Sequence, residues 1–354
     1  MTLSRLSPKE LGKSKTAFTM RRVPPRTLRT LIQHDVSPGM GDVVMARVTR
    51  LGHHKNLQLV NGRRSRLFLD DLVLVVYGNR YAPDQFEALI PPTLGACHLV
   101  AGGGIAAQVH HRSNKVGEAT RLEAIGLVGD EEGRVVNLAD FALPQLPWHT
   151  PTVPIIAVAG TAMNAGKTET VINLVKGLTQ AHLNVAVLKV TGTGAGGDIW
   201  AAIDAGGAPV LDFTDAGLPS TYHVPPHEVE RAAFNLISHA LEARVDAIVI
   251  ELADGLYQQE TAALLSAPRF ASLLNGLIFA AGDAMGAAAG VESLRKLNNI
   301  PVLGVSGQLT RSPLAMREAR AVVHQPIYDM SMLNDSETAL KLVRPALDLE
   351  VKVG

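Results

Sequence analysis

Ile155-Ile-Ala-Val-Ala-Gly160-Thr161-Ala-Met-Asn164-Ala165-Gly166-Lys167-Thr168 is the stretch on which the fold of this chain turns. Its first residues form an apolar run that reads as a buried strand. The run enters a loop bounded by Gly160 and Gly166, and Gly166-Lys167-Thr168 then opens an amphipathic helical pattern over about 166–181. Strand, glycine-bounded loop and helix N-terminus, in that order, bring backbone N–H groups and the positive end of a helix onto one anion. Lys167 would reach the β/γ-phosphates of a nucleoside triphosphate, and the Thr168 hydroxyl would sit on Mg2+. The expected nucleotide-binding residues are Gly160, Thr161, Asn164, Ala165, Gly166, Lys167, Thr168 and Glu169. The loop departs from the commonest form of this motif. Thr161 holds the place of its first glycine, and Gly160, one residue earlier, makes the loop longer by one.

Beyond the loop, strand and helix patterns alternate. Strands are expected at 153–159, 184–190, 209–213, 247–252, 277–281 and 301–305, with a short one near 326–328. Helical patterns fall at about 166–181, 227–243, 258–273, 284–298, 312–322 and 336–345. Such alternation predicts an α/β domain over 151–350, a mostly parallel sheet covered on both faces.

Ligands of an open α/β sheet gather at the carboxyl ends of its strands. The second strand runs out in Leu188-Lys189 and a glycine-rich loop to Asp198. Lys189 there is placed to lie near a transferred phosphate, and Asp198 to ligate Mg2+ or its waters. The fourth strand ends in Glu251-Leu-Ala-Asp254-Gly255. A carboxylate after so apolar a run costs free energy unless it is paired or coordinating, which makes Glu251 the expected acid that orders Mg2+. Asp254 reads as a cap of the next helix. Asp212 and Asp215 fit a metal, a substrate amine or a turn cap equally well. Ser220-Thr221-Tyr222-His223 is a polar cluster in a loop, within which His223 reads as solvent-facing. Two further strand ends, Gly282-Asp283 and Ser306-Gly307-Gln308, are where a base could be held; neither contains Asn-Lys-x-Asp, which favours ATP over GTP.

Upstream of the loop the pattern changes. Pro144, Pro147, Pro151 and Pro154 punctuate a linker, and residues 36–148 are β-rich. Strands are expected over 42–50, 71–77, 96–100 and 124–128, with Asn61-Gly62 as a hairpin turn and Gly102-Gly103-Gly104 as a strand-end turn. The meander suggests a small barrel of OB or S1-like kind. Residues 1–35 are a basic extension in which Arg5, Lys9, Lys13, Lys15, Arg21, Arg22, Arg26 and Arg29 outnumber the acids.

The 33 basic and 33 acidic residues of the 354-residue chain cancel, so no global field argues for nucleic acid or an anionic membrane. One cysteine, Cys97, excludes an internal disulfide framework and fits a reducing compartment. With no long apolar run and no apolar leader, a soluble cytoplasmic protein is expected. The twelve histidines show no metal-ligand spacing; His53-His54 and His110-His111 would point to opposite faces of a strand.

The loop from Gly160 to Thr168 resembles the Gly-Thr-Asp-Thr-x-x-Gly-Lys-Thr loop of the dethiobiotin synthetase family at identical spacing, with Ala162 in place of the aspartate. Lys189 is similar to that family's lysine on the next strand, which contacts substrate and phosphate. Glu251-Leu-Ala-Asp254-Gly255 is similar to its Mg2+-binding Glu-Gly-Ala-Gly-Gly. The resemblance covers about 153–310. It implies an ATP- and Mg2+-dependent ligase or phosphotransferase acting on a small carboxylate, carbamate or amine, with Lys167 and Lys189 as catalytic residues and Thr168, Asp198 and Glu251 at the metal. It also implies a homodimer. The alternative reading of the residues is a nucleotide-hydrolysing switch or assembly ATPase/GTPase that acts on a macromolecular partner, although Ala162 holds the place of the extra lysine of partition-type ATPases.

Overall fold

A computed structural model describes residues 2–34, 36–297 and 300–350, with side chains to Arg344. The chain divides into two units. The first holds residues up to Pro144 together with Thr193–Gly197 and Phe213–His223; the second holds Gln145–Gly192, Asp198–Asp212 and the chain from Val224 onward.

In the second unit the described residues form a six-stranded parallel sheet. Its strands are β1 (Ile155–Gly160), β2 (Val185–Lys189), β3 (Val210–Asp212), β4 (Ala247–Glu251), β5 (Gly276–Ala280) and β6 (Val302–Ser306). They lie in the order β3-β2-β4-β1-β5-β6. Every residue of β1, β4 and β5 is buried, which is why these strands read as unbroken apolar runs. Because β1 and β2 flank β4, the ends that carry the glycine loop, Glu251 and Lys189 are neighbours.

Helix α1 (Lys167–Gln180) follows the loop and buries Val171, Leu174, Val175 and Leu178, three and four residues apart on one face. They share a core with Ile156, Val158, Val187 and Val249 of the sheet. The described helices that follow are α2 (Gly196–Asp204), α3 (Pro226–Glu242), α4 (Gln259–Ser266), α5 (Pro268–Ala271), α6 (Ala284–Leu297), α7 (Pro313–Val322), α8 (Met330–Asn334) and α9 (Ser336–Glu350). The helix expected over 258–273 is two, because Pro268 opens a new helix where it cannot donate an N–H to the old one. The strand expected near 326–328 is a single bridge from Ile327 to Val305. Helices α2 and α8 were not anticipated.

The first unit contains ten described strands in one sheet. Five of them, Thr120–Gly129, Val43–Arg50, Leu72–Tyr77, Ile105–Arg112 and Ala96–Ala101, pair in that order and the last pairs back with the first, closing a ring. Alternate residues face two cores: Val44, Ala46 and Val48 lie in one, Val43 and Met45 in the other. Strands at Thr2–Arg5, Lys15–Thr16 and Thr30–Gln33 join the same sheet, so the basic residues of the N-terminal stretch ride on ordered structure. Asn61-Gly62 turns a short hairpin, with Gly62 at φ 84°. His53 and His54 lie outside the strands and touch each other edge to face, at 4.9 Å between ring centroids, instead of pointing to opposite faces.

Two loops from the second half of the sequence complete this unit. Gly196 N donates to Gln58 Oε1 at 2.8 Å. A Cβ on Gly103 would lie 2.1 Å from Gly194 O, so only glycine permits that approach. Arg21 Nη2 donates to Asp215 Oδ2 at 2.5 Å, Arg21 also bonds Thr214, and Arg22 lies 3.7 Å from Asp215 Oδ1. Asp215 is therefore a buried ion-pair partner; neither a metal nor a substrate amine is needed to explain it.

Candidate functional site

The glycine loop owes its shape to three residues. Gly160 leaves β1 where a Cβ would meet Ala280 O at 2.7 Å and Lys167 Cγ at 3.0 Å. Asn164 takes the left-handed conformation, φ 66°, which asparagine tolerates better than most side chains. Gly166 precedes α1 at φ 96°, and a Cβ there would lie 2.8 Å from Gly307 Cα. The end of β6 supports the loop directly, since Gln308 N donates to Ala165 O at 2.9 Å. Thr161 N donates to Ala280 O at 3.0 Å. Gly255 lets its strand end close on the same loop: a Cβ would fall 2.5 Å from Thr161 O. The loop is thus clamped by backbone from three strand ends. The sequence names Gly255 and Gly307 only as parts of strand ends; their close approach to the loop was not legible, because Thr161 and Ala165 are remote from them along the chain.

Lys167 is buried and folds back to donate from Nζ to Ala162 O at 2.8 Å. Burial pushes its ammonium below the ordinary lysine range, opposed first by Asp254 and then by Glu251. Thr168 Oγ1 lies 3.2 Å from Glu251 Oε1 and 3.4 Å from Asp198 Oδ1. Lys189 Nζ lies 3.2 Å from the same Glu251 oxygen and also binds Asp198 Oδ2. Burial opposes the charge of Lys189, yet Asp198 and Glu251 hold it protonated, well above the usual lysine range. Burial likewise opposes ionisation of Asp198, but Lys189 outweighs it and keeps that carboxyl low. Glu251 is almost wholly enclosed, and burial raises its pKa despite Lys189.

The structure thus gathers Lys167, Thr168, Lys189, Asp198 and Glu251 at one place. The cavity beside Thr168, Lys189, Asp198 and Glu251 measures about 10 Å³, close to the least that holds one water-sized guest. Hydroxyl and carboxylate oxygens are the hard donors Mg2+ takes, and that ion ordinarily fills its remaining positions with water and substrate phosphate. Among the described residues no cluster of three or more His, Cys, Asp or Glu could hold a metal unaided. Two carboxylates and a hydroxyl supply part of such an ion's shell, the rest of which phosphate and water would fill.

Other expected residues fall elsewhere. Glu169 is exposed in the first turn of α1. Asp283 caps α6 by accepting from Gly286 N at 2.7 Å. Asp212 is buried at the end of β3. Ser220, Thr221, Tyr222 and His223 belong to the first unit, where Tyr222 Oη donates to Glu87 Oε1 at 2.9 Å. Asp254 does not cap α4: Gln258 does, accepting from Thr261 N at 3.0 Å. No helix among the described residues is long and apolar enough to cross a membrane.

No protein-family model matches the chain, and no curated protein matches it. Solved structures overlap it in part. The signal recognition particle receptor FtsY from Elizabethkingia anophelis is 15% identical, over 55% of this chain and 68% of its own, at a TM-score of 0.37. The same receptor in complex with GDP is 14% identical, over 57% and 67%, at 0.39. The septum site-determining protein MinD from Pyrococcus horikoshii OT3, complexed with Mg-ADP, is 18% identical, over 57% and 98%, at 0.35. Overlaps this loose say nothing about chemistry. None of the three is a dethiobiotin synthetase, and that resemblance gains no support from them.

Proposed function

We propose that the second unit binds a magnesium nucleoside triphosphate at the Gly160–Thr168 loop and hydrolyses it, serving as a nucleotide-driven switch. One observation carries this reading: Thr168, at the start of α1, meets the carboxylates of Glu251 and Asp198 beside a loop that holds Lys167 at its mouth. Lys167 would leave Ala162 O for the β/γ-phosphates, and the α1 N-terminus would add its positive dipole end. Thr168, Asp198 and Glu251 would hold Mg2+, which when bound neutralises charge on the β- and γ-phosphate oxygens. Positioning and charge neutralisation supply most of phosphoryl-transfer catalysis, so a covalent nucleophile is not required.

A ligase of the dethiobiotin synthetase kind fits less well. It needs a second-strand lysine turned to an acceptor. Here Lys189 is taken up by two carboxylates, Asp198 and Glu251.

Phosphate release by the full chain, measured with ATP and with GTP, tests the reading. Turnover without any small-molecule acceptor is expected, and Lys167→Ala should lower it by about 10²-fold or more. Turnover that requires a carboxylate or amine from a metabolite panel would restore the ligase, and full activity in Lys167→Ala would remove the site altogether.

A further inference from the structure

The chain is neutral as a whole, but its first unit holds a local imbalance. Between Asp42 and Asp70 the sequence contains no acidic residue, while Arg47, Arg50, Lys55, Arg63, Arg64 and Arg66 lie there, all exposed. Arg50 and Arg47 have acids beside them: Arg50 Nη1 lies 2.7 Å from Glu118 Oε2, and Arg47 stands in register with Glu123. Among the described residues Lys55, Arg63, Arg64 and Arg66 have no ion-pair partner. The hairpin of Asn56–Gln58 and Arg64–Arg66 arranges them. Its alternation turns Leu57 and Ser65 inward and Arg64 and Arg66 outward, opposite Gln58 and Asn56. The outer face therefore carries cations and amides but no carboxylate. Leu67 is buried, yet Phe68 and Leu69 beyond it are 57% and 59% exposed. The Phe68 ring is held in place. Phe68 N donates to Asp71 Oδ2 at 2.7 Å, and the ring centroid lies 5.4 Å from Lys15 Nζ and 5.8 Å from the Arg66 guanidinium carbon. Both distances are within the reach of cation–π attraction. Asp71 is itself paired with Lys15, so it does not offset the arginines.

We propose that this hairpin and Phe68 bind single-stranded nucleic acid, with phosphates on Lys55, Arg63, Arg64 and Arg66 and a base stacked on the Phe68 ring. The proposal does not rest on the hydrolytic reading given above. Guanidinium groups present planar forks of N–H donors that match phosphate oxygens. An exposed ring held in one place gains by covering its face, and any base of a single strand offers a flat partner whatever its sequence. A duplex keeps its bases stacked on one another and would use only the cations. An anionic membrane offers the same charge, but Phe68 and Leu69 would have to enter it beside the exposed carboxylate of Asp70, which an anionic surface repels. An acidic protein segment offers charge without a flat base. Charge and ring together therefore favour the single strand.

Fluorescence anisotropy of the full chain with a labelled single strand of about 16 nucleotides, as RNA and as DNA of one sequence, tests this over a series of salt concentrations. Binding is expected whose log K falls with log salt at a slope of about −2 to −3, as roughly three or four phosphate contacts give. Arg64→Ala combined with Arg66→Ala should weaken binding and flatten the slope by about 1.4. Phe68→Ala should weaken binding by about fivefold or more with the slope unchanged, and Phe68→Trp should restore it. A fold defect would instead lower affinity and slope together. Arg63→Ala, flattening the slope by about 0.7, serves if the double variant fails to fold. Arg134→Ala is the control: Arg134 is exposed in the same unit but bonded to Asp130 and Glu132, so neither affinity nor slope should change. Tighter binding of either RNA or DNA supports the proposal and identifies the strand. A duplex or polyglutamate bound as tightly as the single strand, with Phe68→Ala without effect, would show a surface for charge alone and overturn it. So would retention on phosphatidylcholine–phosphatidylserine vesicles in the absence of nucleic-acid binding. No binding of either strand at low salt overturns it too, and leaves the hydrolytic reading untouched.

Discussion

Thr168 is the side chain at which the glycine loop and the acid side of the site meet. Thr168→Val keeps the branched shape at Cβ, and so the packing and χ1 preference at the start of α1, while deleting the oxygen that faces Asp198 and Glu251. The Mg2+ concentration giving half-maximal phosphate release should rise by about tenfold or more, as it does when a group that supports a metal is removed. An unchanged Mg2+ requirement, read from a titration at fixed nucleotide, would mean that Thr168 does not face the ion. Lys167, Thr168 and Glu251 could be read from the sequence because each stands where only a few chemistries tolerate it: a Gly-Lys-Thr at a helix start, an acid closing an apolar strand. Asp254 and Asp215 could not. The spacing of Asp254 from α4 suited a cap, and nothing local showed that Gln258, four residues on, would take that role. The partner of Asp215 lies 194 residues away.

At the scale of elements, α1 packs close against the helices α8 and α9. Gly177 permits this: a Cβ there would lie 2.3 Å from Leu333 O and 2.8 Å from Ala339 Cβ. Both contacts are short, one of them to backbone, so α1 would have to move off α8 and α9. Gly177→Ala gains helix propensity, about 1 kcal/mol, but overpacking of this kind costs about 1–3 kcal/mol and should prevail. A net loss of stability is expected, read as a lower denaturation midpoint. Gly12→Ala, in the short helix Pro8–Lys13 of the first unit, is the control, since a Cβ there meets nothing within 4 Å and that helix should be stabilised or unchanged. A Gly177→Ala protein as stable as wild type would show that α1 is less tightly seated. Strands β1, β4 and β5 were legible because burial on both faces leaves an apolar run with no other use. Helix α2 was not, because it opens on Gly196-Gly197, the last of a glycine-rich loop, and glycine is a poor helix former that gives no start signal. The helix is marked only by buried Ile199 and Ala202, three residues apart.

The whole molecule is discontinuous in a way that composition and periodicity do not reveal. The proline cluster between Pro144 and Pro154 is where the main division falls, with the first unit ending at Pro144 and the second opening at Gln145. Yet Thr193–Gly197 and Phe213–His223 belong to the first unit. These loops are held by side chains that look like solvated surface in the sequence, above all Arg21 within the basic N-terminal stretch. Asp215 is almost fully buried and is bonded by Arg21, with Arg22 at 3.7 Å. A buried ion pair is weak evidence of stability in itself, but removal of one partner leaves an uncompensated charge, at a cost of about 3–5 kcal/mol. Arg21→Ala should therefore destabilise the first unit and loosen Phe213–His223. Chymotrypsin would read this as faster cleavage at Phe213 and Tyr222 under native conditions. Arg21→Ala combined with Asp215→Asn should be less damaged than the two single effects together, because the second change removes the charge that the first exposes. If the single and double variants were cleaved at the wild-type rate, the loop would be held by packing around Thr214 and Pro219, and the ion pair would be incidental to the way this unit is assembled from distant parts of the chain.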